Sequence, residues 1–155
     1  MSIDVDKEML KKAKGYALRL FKLRPRSTAE LRDKLAGKEF SPEVIEVLVQ
    51  DLTARRDLDD AAFARAWVQG RITRYGRRRL DLELTQKGIS GEIVQALWQD
   101  IGGDYDEEAQ ARGIAGRRAG ITRDKEPLKR EKRVMDYLAR RGFSMGTITK
   151  VLKDL

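Results

Sequence analysis

Apolar residues recur along this chain at helical spacing. From Lys7 to Leu23 the positions Leu10, Ala13, Ala17, Leu20 and Phe21 fall on one stripe. Leu31 and Leu35 sit one turn apart, and Val44, Ile45, Leu48 and Leu52 form the next stripe. The boundaries between stripes carry helix punctuation. Ser27 with Glu30 reads as a capping box, and Arg24-Pro25 closes the helix before it. Ser41 precedes Pro42 at a first helical position, where a missing N–H costs nothing. The run Val44 to Val49 alone would suit a strand, but its Ser-Pro-Glu start argues for a helix. No segment shows sustained period-two alternation, so the pattern predicts helices and no sheet.

The pattern repeats. The segments Leu31 to Leu52, Leu80 to Ile101 and Val134 to Leu155 align without a gap, at spacings of 49 and then 54 residues. Leu35, Leu84 and Leu138 correspond, as do Phe40, Ile89 and Phe143. So do Ser41, Ser90 and Ser144, then Ile45, Val94 and Ile148, then Asp51, Asp100 and Asp154. Chance matches a few apolar positions easily; it does not match the serine and the aspartate in all three. Each segment parses as helix, tight turn, helix, and a longer helix precedes each: Lys7 to Leu23, Asp59 to Arg74, and Glu107 to Ala119. The predicted fold is all-α, with three tandem three-helix repeats over residues 1–56, 57–103 and 104–155 forming an elongated, curved array. A unit of this size is near the lower limit for a self-sufficient core, and serial units offer an extended surface. Gly120 to Pro127, rich in turn formers and charge, is the expected mobile stretch.

Charge sharpens this picture. The net charge is +8, and it alternates in blocks. Lys7 to Lys38 holds eleven basic and three acidic residues, and Glu39 to Asp60 holds two and seven. Arg71 to Lys87 holds six against two, Gly88 to Glu108 none against six, and Arg112 to Arg141 eleven against four. Such blocks can build basic and acidic surfaces on one body and favour polyanionic or acidic partners. No apolar run approaches the length of a membrane helix. Met1 to Glu8 is polar and unlike a secretory signal, so a cytoplasmic, monomeric protein is expected.

Candidate chemistry is sparse. The chain has no Cys and no His, which excludes disulfides, thiol nucleophiles and histidine bases. No cofactor or metal is expected. Asp104, Asp106, Glu107 and Glu108 could hold a divalent cation, but helix capping is the stronger reading, and Asp59-Asp60 is read likewise. Gly102-Gly103 and Gly113 to Gly120 lack phosphate-loop spacing. Trp67 and Trp98 lie on apolar stripes and read as core. The basic run Arg71, Arg74, Tyr75, Arg77, Arg78 and Arg79 carries more weight, with five arginines in nine residues around a Tyr-Gly turn. Guanidinium groups suit bidentate contact with phosphates and carboxylates. We read these arginines as a binding surface, against the alternative of a solvated face, and Tyr75 as packing rather than stacking on a base. Lys129, Arg130, Lys132 and Arg133 form a second basic run, and Lys11, Lys12 and Lys14 a third.

Leu58-Asp59-Asp60, Phe63-Ala64-Arg65, Tyr75-Gly76 with Arg79, and Gln86-Lys87-Gly88-Ile89-Ser90 together resemble the signature of the RecX regulatory proteins. Arg24-Pro25-Arg26-Ser27 with Glu30-Leu31 and Leu35 is similar to that family's first repeat. The resemblance spans nearly the whole chain. Arg77 departs from it, since the family often has Pro after the Tyr-Gly, and the third repeat is divergent. What the resemblance implies is a non-enzymatic modulator of the bacterial recombinase RecA, acting in recombination, DNA repair and the SOS response. Family members bind the RecA–DNA filament along its groove and typically inhibit strand exchange and ATP hydrolysis. Tyr75, Gly76, Arg79, Lys87 and Gly88 carry the family motif. Two other readings remain beside it: a direct DNA-binding module of helix-turn-helix character, and a carboxylate metal enzyme using Asp104 and Asp106.

Overall fold

A computed structural model describes residues 5–103, 105–121 and 126–154, without the side chains of residues 119 and 121. Among the described residues there are nine helices and no strand. They are α1 (Lys7–Leu23), α2 (Thr28–Gly37), α3 (Pro42–Ala54), α4 (Asp60–Gln69), α5 (Arg77–Gln86), α6 (Gly91–Ile101), α7 (Glu107–Ile121), α8 (Pro127–Arg140) and α9 (Met145–Leu152). Taken in threes they make the expected units. Asp104 and residues 122–125 of the stretch from Gly120 to Pro127 lie outside the described residues.

Local chemistry sets the helix starts. The Ser27 capping box closes at both ends: Glu30 N–H donates to Ser27 Oγ, and Ser27 N–H donates to the Glu30 carboxylate. Ser41, Ser90 and Ser144 each accept the N–H three residues on, so the serine aligned in all three repeats is an N-cap. The turns before these serines match. The residue two places ahead has positive φ in each: Glu39 at 65°, Gly88 at 76° and Gly142 at 89°.

One boundary differs from expectation. The predicted helix from Asp59 to Arg74 stops at Gln69, with Gly70 as its C-cap. Arg71 to Tyr75 continue as turns, with Ile72 N–H to Val68 carbonyl at 2.8 Å and Tyr75 N–H to Arg71 carbonyl at 3.1 Å. Glycine weakens a helix, and the turns bring Ile72 and Tyr75 against the second core. Periodicity alone could not register that tertiary gain. The seventh helix runs to Ile121, slightly past the predicted Ala119.

Each unit has its own core. Ala13, Ala17, Leu31, Leu35, Leu48 and Leu52 centre the first, which Leu58 also joins. Phe63, Ala64, Val68, Leu80, Leu84 and Trp98 centre the second. Ala111, Ala115, Val134, Leu138, Phe143 and Ile148 centre the third. Alanine on α1, α4 and α7 lets the long helix approach its partners. Dividing the chain into three thin cores leaves much surface wet. The accessible area is 10352 Å², against about 7,900 Å² for a compact monomer of this mass.

The same joint links the units twice. The N-terminus of the second helix in one unit docks on the positive-φ turn of the next. Ser27 Oγ donates to the Lys87 carbonyl at 2.6 Å, and Gly76 N–H donates to the Arg141 carbonyl at 2.7 Å. Gly88 faces Ala29, and Gly142 faces Arg79, so closely that a Cβ at either glycine would overlap its neighbour. Asp60, read from sequence as a cap, instead ties the first joint, accepting from Thr28 N–H at 2.8 Å and Thr28 Oγ1 at 3.0 Å. Ser27 is the one buried polar residue beside the apolar core residues among those described. Ser27→Ala therefore removes both an N-cap and an inter-unit bond, and leaves the Lys87 carbonyl without its donor. We expect a loss of about 1–3 kcal/mol in urea unfolding; a change under half that would mean that water replaces the hydroxyl.

Candidate interaction site at the second joint

The basic run divides into arginines turned inward and arginines turned outward. Glu83, on α5, is the reason. Its side chain is 14% exposed and accepts from Arg71 Nε and Nη2, both at 2.8 Å, from Arg79 Nε at 3.1 Å and from Trp67 Nε1 at 2.9 Å. Burial pushes the Glu83 carboxyl up, but these donors outweigh it and hold the group below its usual range. Arg71 also lies over the rings of Trp67 and Tyr75, at 5.1 and 4.6 Å, and Arg79 lies over Tyr75 at 4.1 Å. Tyr75 is thus half-buried under guanidinium groups, in keeping with a packing role.

Arg77 lies 4.9 Å from the Trp98 ring and 3.7 Å from the Asp81 carboxylate. Arg74 and Arg78 are exposed. Lys87 sits at the other joint, 3.5 Å from Glu30 and 5.1 Å from the Trp67 ring. Lys129, Arg130, Lys132 and Arg133 all lie exposed on the first half of α8, where Lys129 pairs with Glu126 at 3.3 Å. They do not line the cavities at the second joint.

The third unit adds four arginines there that the sequence reading did not single out: Arg117, Arg118, Arg140 and Arg141. Arg141 bridges the units, with its guanidinium 4.9 Å from Tyr75 and 5.0 Å from Tyr137. Arg118 takes another position on Tyr137, at 4.8 Å. Arg79 Nη1 donates to the Arg140 carbonyl, and Arg141 Nη1 donates to the Arg74 carbonyl, each at 3.4 Å. A sequence signal existed for one of them: Arg141-Gly142 aligns with Lys87-Gly88. Nothing local marks Arg117 or Arg118.

Two concave surfaces result. A groove of about 720 Å³ is lined by Arg78, Arg79 and Arg140 together with Leu82, Phe143 and Met145, among others. Leu82 is 58% and Met145 53% exposed, so apolar side chains stand in water beside cations. A smaller cleft of about 280 Å³ is lined by Thr73, Arg74, Ile114, Arg117, Arg118, Tyr137 and Arg141. No carboxylate lines it among the described residues.

The acidic candidates have structural duties. Asp106 accepts from Ala109 N–H at 3.0 Å, Glu108 pairs with Arg112, and Glu107 accepts from Thr147 Oγ1 at 3.3 Å. Asp59 accepts from Ala62 N–H at the start of α4. Among the described residues, no three acidic side chains gather as a metal site, and no helix is long and apolar enough to cross a membrane.

At the first joint, Glu30 bonds Arg24 bidentately, accepts from Ser27 N–H and faces Lys87. Burial pushes its carboxyl up, yet the Arg24 hydrogen bond, the Ser27 N–H and the two cations pull it down to about 2. A carboxyl lowered by folding stabilises the fold fully above its unfolded value of 4.5, and that contribution disappears as pH falls toward 2. We expect the thermal midpoint to drop through this window and Glu30→Gln to flatten the profile there. Parallel profiles for both proteins would contradict the assignment.

Comparison with known proteins places these features in a family. The RecX first, second and third three-helix domain models match residues 13–52, 59–97 and 106–152. The chain is similar to proteins described as regulatory protein RecX. It is 36% identical over 149 residues to one from Thermobifida fusca, covering 95% of this chain and 80% of the relative. It is 30% identical over 145 residues to one from Chlorobium limicola, covering 92% and 89%. The crystal structure of RecX from Lactobacillus salivarius superposes with a TM-score of 0.82 at 19% identity, over 96% of this chain and 97% of that one. A crystal structure of another regulatory protein RecX gives a TM-score of 0.82 at 21% identity, over 99% and 82%. The three matched segments fall on the three cores, the joints lie between them, and the relatives align across nearly the full length: the chain belongs to the RecX family of regulatory proteins.

Proposed function

We propose that this chain regulates the recombinase RecA by binding the RecA–DNA filament, and that it slows ATP hydrolysis and strand exchange without catalysing a reaction itself. The observation that carries the reading is the groove at the second joint, where exposed Leu82 and Met145 lie beside Arg78 and Arg140. Arginine mixed with large apolar side chains is the composition of protein-binding surfaces. A series of units can span neighbouring subunits of a filament. The test is RecA ATPase on single-stranded DNA with the protein added. Inhibition is expected, and an unchanged rate at saturating protein would reject the proposal. Arg78→Ala with Arg140→Ala should raise the half-inhibiting concentration by about tenfold or more, since each removes a charged contact.

Direct DNA binding is the second reading, supported by the arginine cleft. It does not take the form of a major-groove helix in the first two units. α3 carries Glu43, Glu46 and Asp51, and α6 carries Glu92 and Asp100, with no basic residue in either. Such helices would be repelled by phosphates. Contact would run through the joint instead, weaken steeply with salt and need no recombinase.

A further inference from the structure

The units meet mainly through polar joints, with Tyr105 packed on Trp98 at the edge of the second core, so the angle between the second and third units rests on few contacts. Across that joint run the Gly76–Arg141 backbone bond, two long side-chain bonds at 3.4 Å and the Arg141 guanidinium between two tyrosines. Beside these contacts lies the small cleft, and its cations come from both units. Arg74 belongs to the turns after α4; Arg117 and Arg118 belong to α7, and Arg141 ends α8. Arg74, Arg117 and Arg141 are like charges held in one small cleft and repel one another, and an anion between them reverses that term.

We propose that phosphate groups bind in this cleft and, by joining Arg74 of the second unit to Arg117 and Arg141 of the third, lock the angle between the two units. The ligand is the phosphate itself and not a base. Tyr137, the aromatic residue of the cleft, is already covered by Arg118 and Arg141. Guanidinium groups bind phosphate oxygens in pairs, and Thr73 lines the same cleft. The phosphates can come from a DNA backbone or from a free polyphosphate. The inference deepens the reading of this joint as the binding region, because a locked array would meet a filament in one shape.

The chain has no cysteine, so Gln95→Cys on exposed α6 and Lys150→Cys on exposed α9 admit a single pair of spin labels. Their distance distribution would be measured by electron–electron resonance in the full chain at matched ionic strength. Tripolyphosphate and an oligothymidylate are the two probes. A distribution that narrows with both supports binding of any phosphate chain; narrowing with the oligonucleotide alone assigns the DNA backbone. Arg74→Ala and, separately, Arg117→Gln should each raise the concentration needed by about tenfold, with helical circular dichroism unchanged. No narrowing with either probe, or narrowing indifferent to both substitutions, overturns the proposal. A chain that still inhibits RecA without narrowing overturns the lock alone and leaves the proposed function standing.

Discussion

Gly142→Ala is expected to open the joint between the second and third units while all three units keep their helices. A Cβ there would stand 2.6 Å from the Arg79 backbone nitrogen and on the Arg79 Cβ. The backbone at Gly142 has φ of 89°, which costs an L-residue about 1 kcal/mol or more. Strain alone does not decide the outcome. The first unit places Glu39 at φ 65° in the corresponding turn, so a side chain is tolerated where no helix approaches. The approach of α5 is what excludes it at Gly142. To relieve the overlap the turn must withdraw. That breaks the 2.7 Å bond from Gly76 N–H to the Arg141 carbonyl and takes Arg141 off Tyr75. Together these amount to about 2–4 kcal/mol of joint stability. Hydrogen exchange at the Gly76 amide should rise sharply, with far-ultraviolet helicity retained and inhibition of the recombinase reduced. Parent-like exchange at Gly76 would show that the turn absorbs the methyl group.

Glu83→Ala is the second large effect. It strands Arg71, Arg79 and the Trp67 indole N–H, which converge on one carboxylate. Removing one partner from a mostly buried network leaves the others desolvated and unpaired, which costs more than the network's net worth. With Glu83 14% and Arg71 26% exposed, water relieves part of that cost, and we expect a loss of about 2–4 kcal/mol in urea unfolding. Trp67 fluorescence should shift as its hydrogen bond is lost. Asp51→Ala is the control. The Asp51–Arg55 pair is 41% and 57% exposed, so its removal should change stability by less than about 1 kcal/mol. Equal losses for Glu83→Ala and Asp51→Ala would mean that burial does not set the energetics here.

The two substitutions act on the same region by different routes. Gly142 controls how closely the second and third units meet, and Glu83 controls which arginines remain available to a partner. Glu83 and Arg79 both line the groove, so removing Glu83 leaves Arg79 unpaired there and increases the groove's positive charge even as the unit weakens. Binding and stability should therefore separate in Glu83→Ala and fall together in Gly142→Ala. Measuring both quantities on both proteins checks the division of the arginines into structural and partner-facing sets.

Helix starts and core positions were legible in the sequence because they rest on local chemistry. A serine caps the N–H three residues on, and apolar side chains at helical spacing have one face to bury; Ser27, Ser41, Ser90 and Ser144 obey this wherever they occur. The family, too, was legible in motifs such as Tyr75-Gly76 and Lys87-Gly88. The fate of each charged side chain was not, because it depends on partners distant in the chain. Asp51, Asp100 and Asp154 align, yet Asp51 turns to Arg55 while the others pair with Arg65 and Arg112 on the first helix of their units. Five consecutive-looking arginines became a half-buried pair around Glu83, a partly paired Arg77, and two exposed cations. Arg117, Arg118, Arg140 and Arg141 reached the same joint only because the units dock there. Sequence determined which segments are helices and which faces they bury; tertiary structure decided where the charges meet, since Coulomb and hydrogen-bond energies depend on distance in space and not on spacing along the chain.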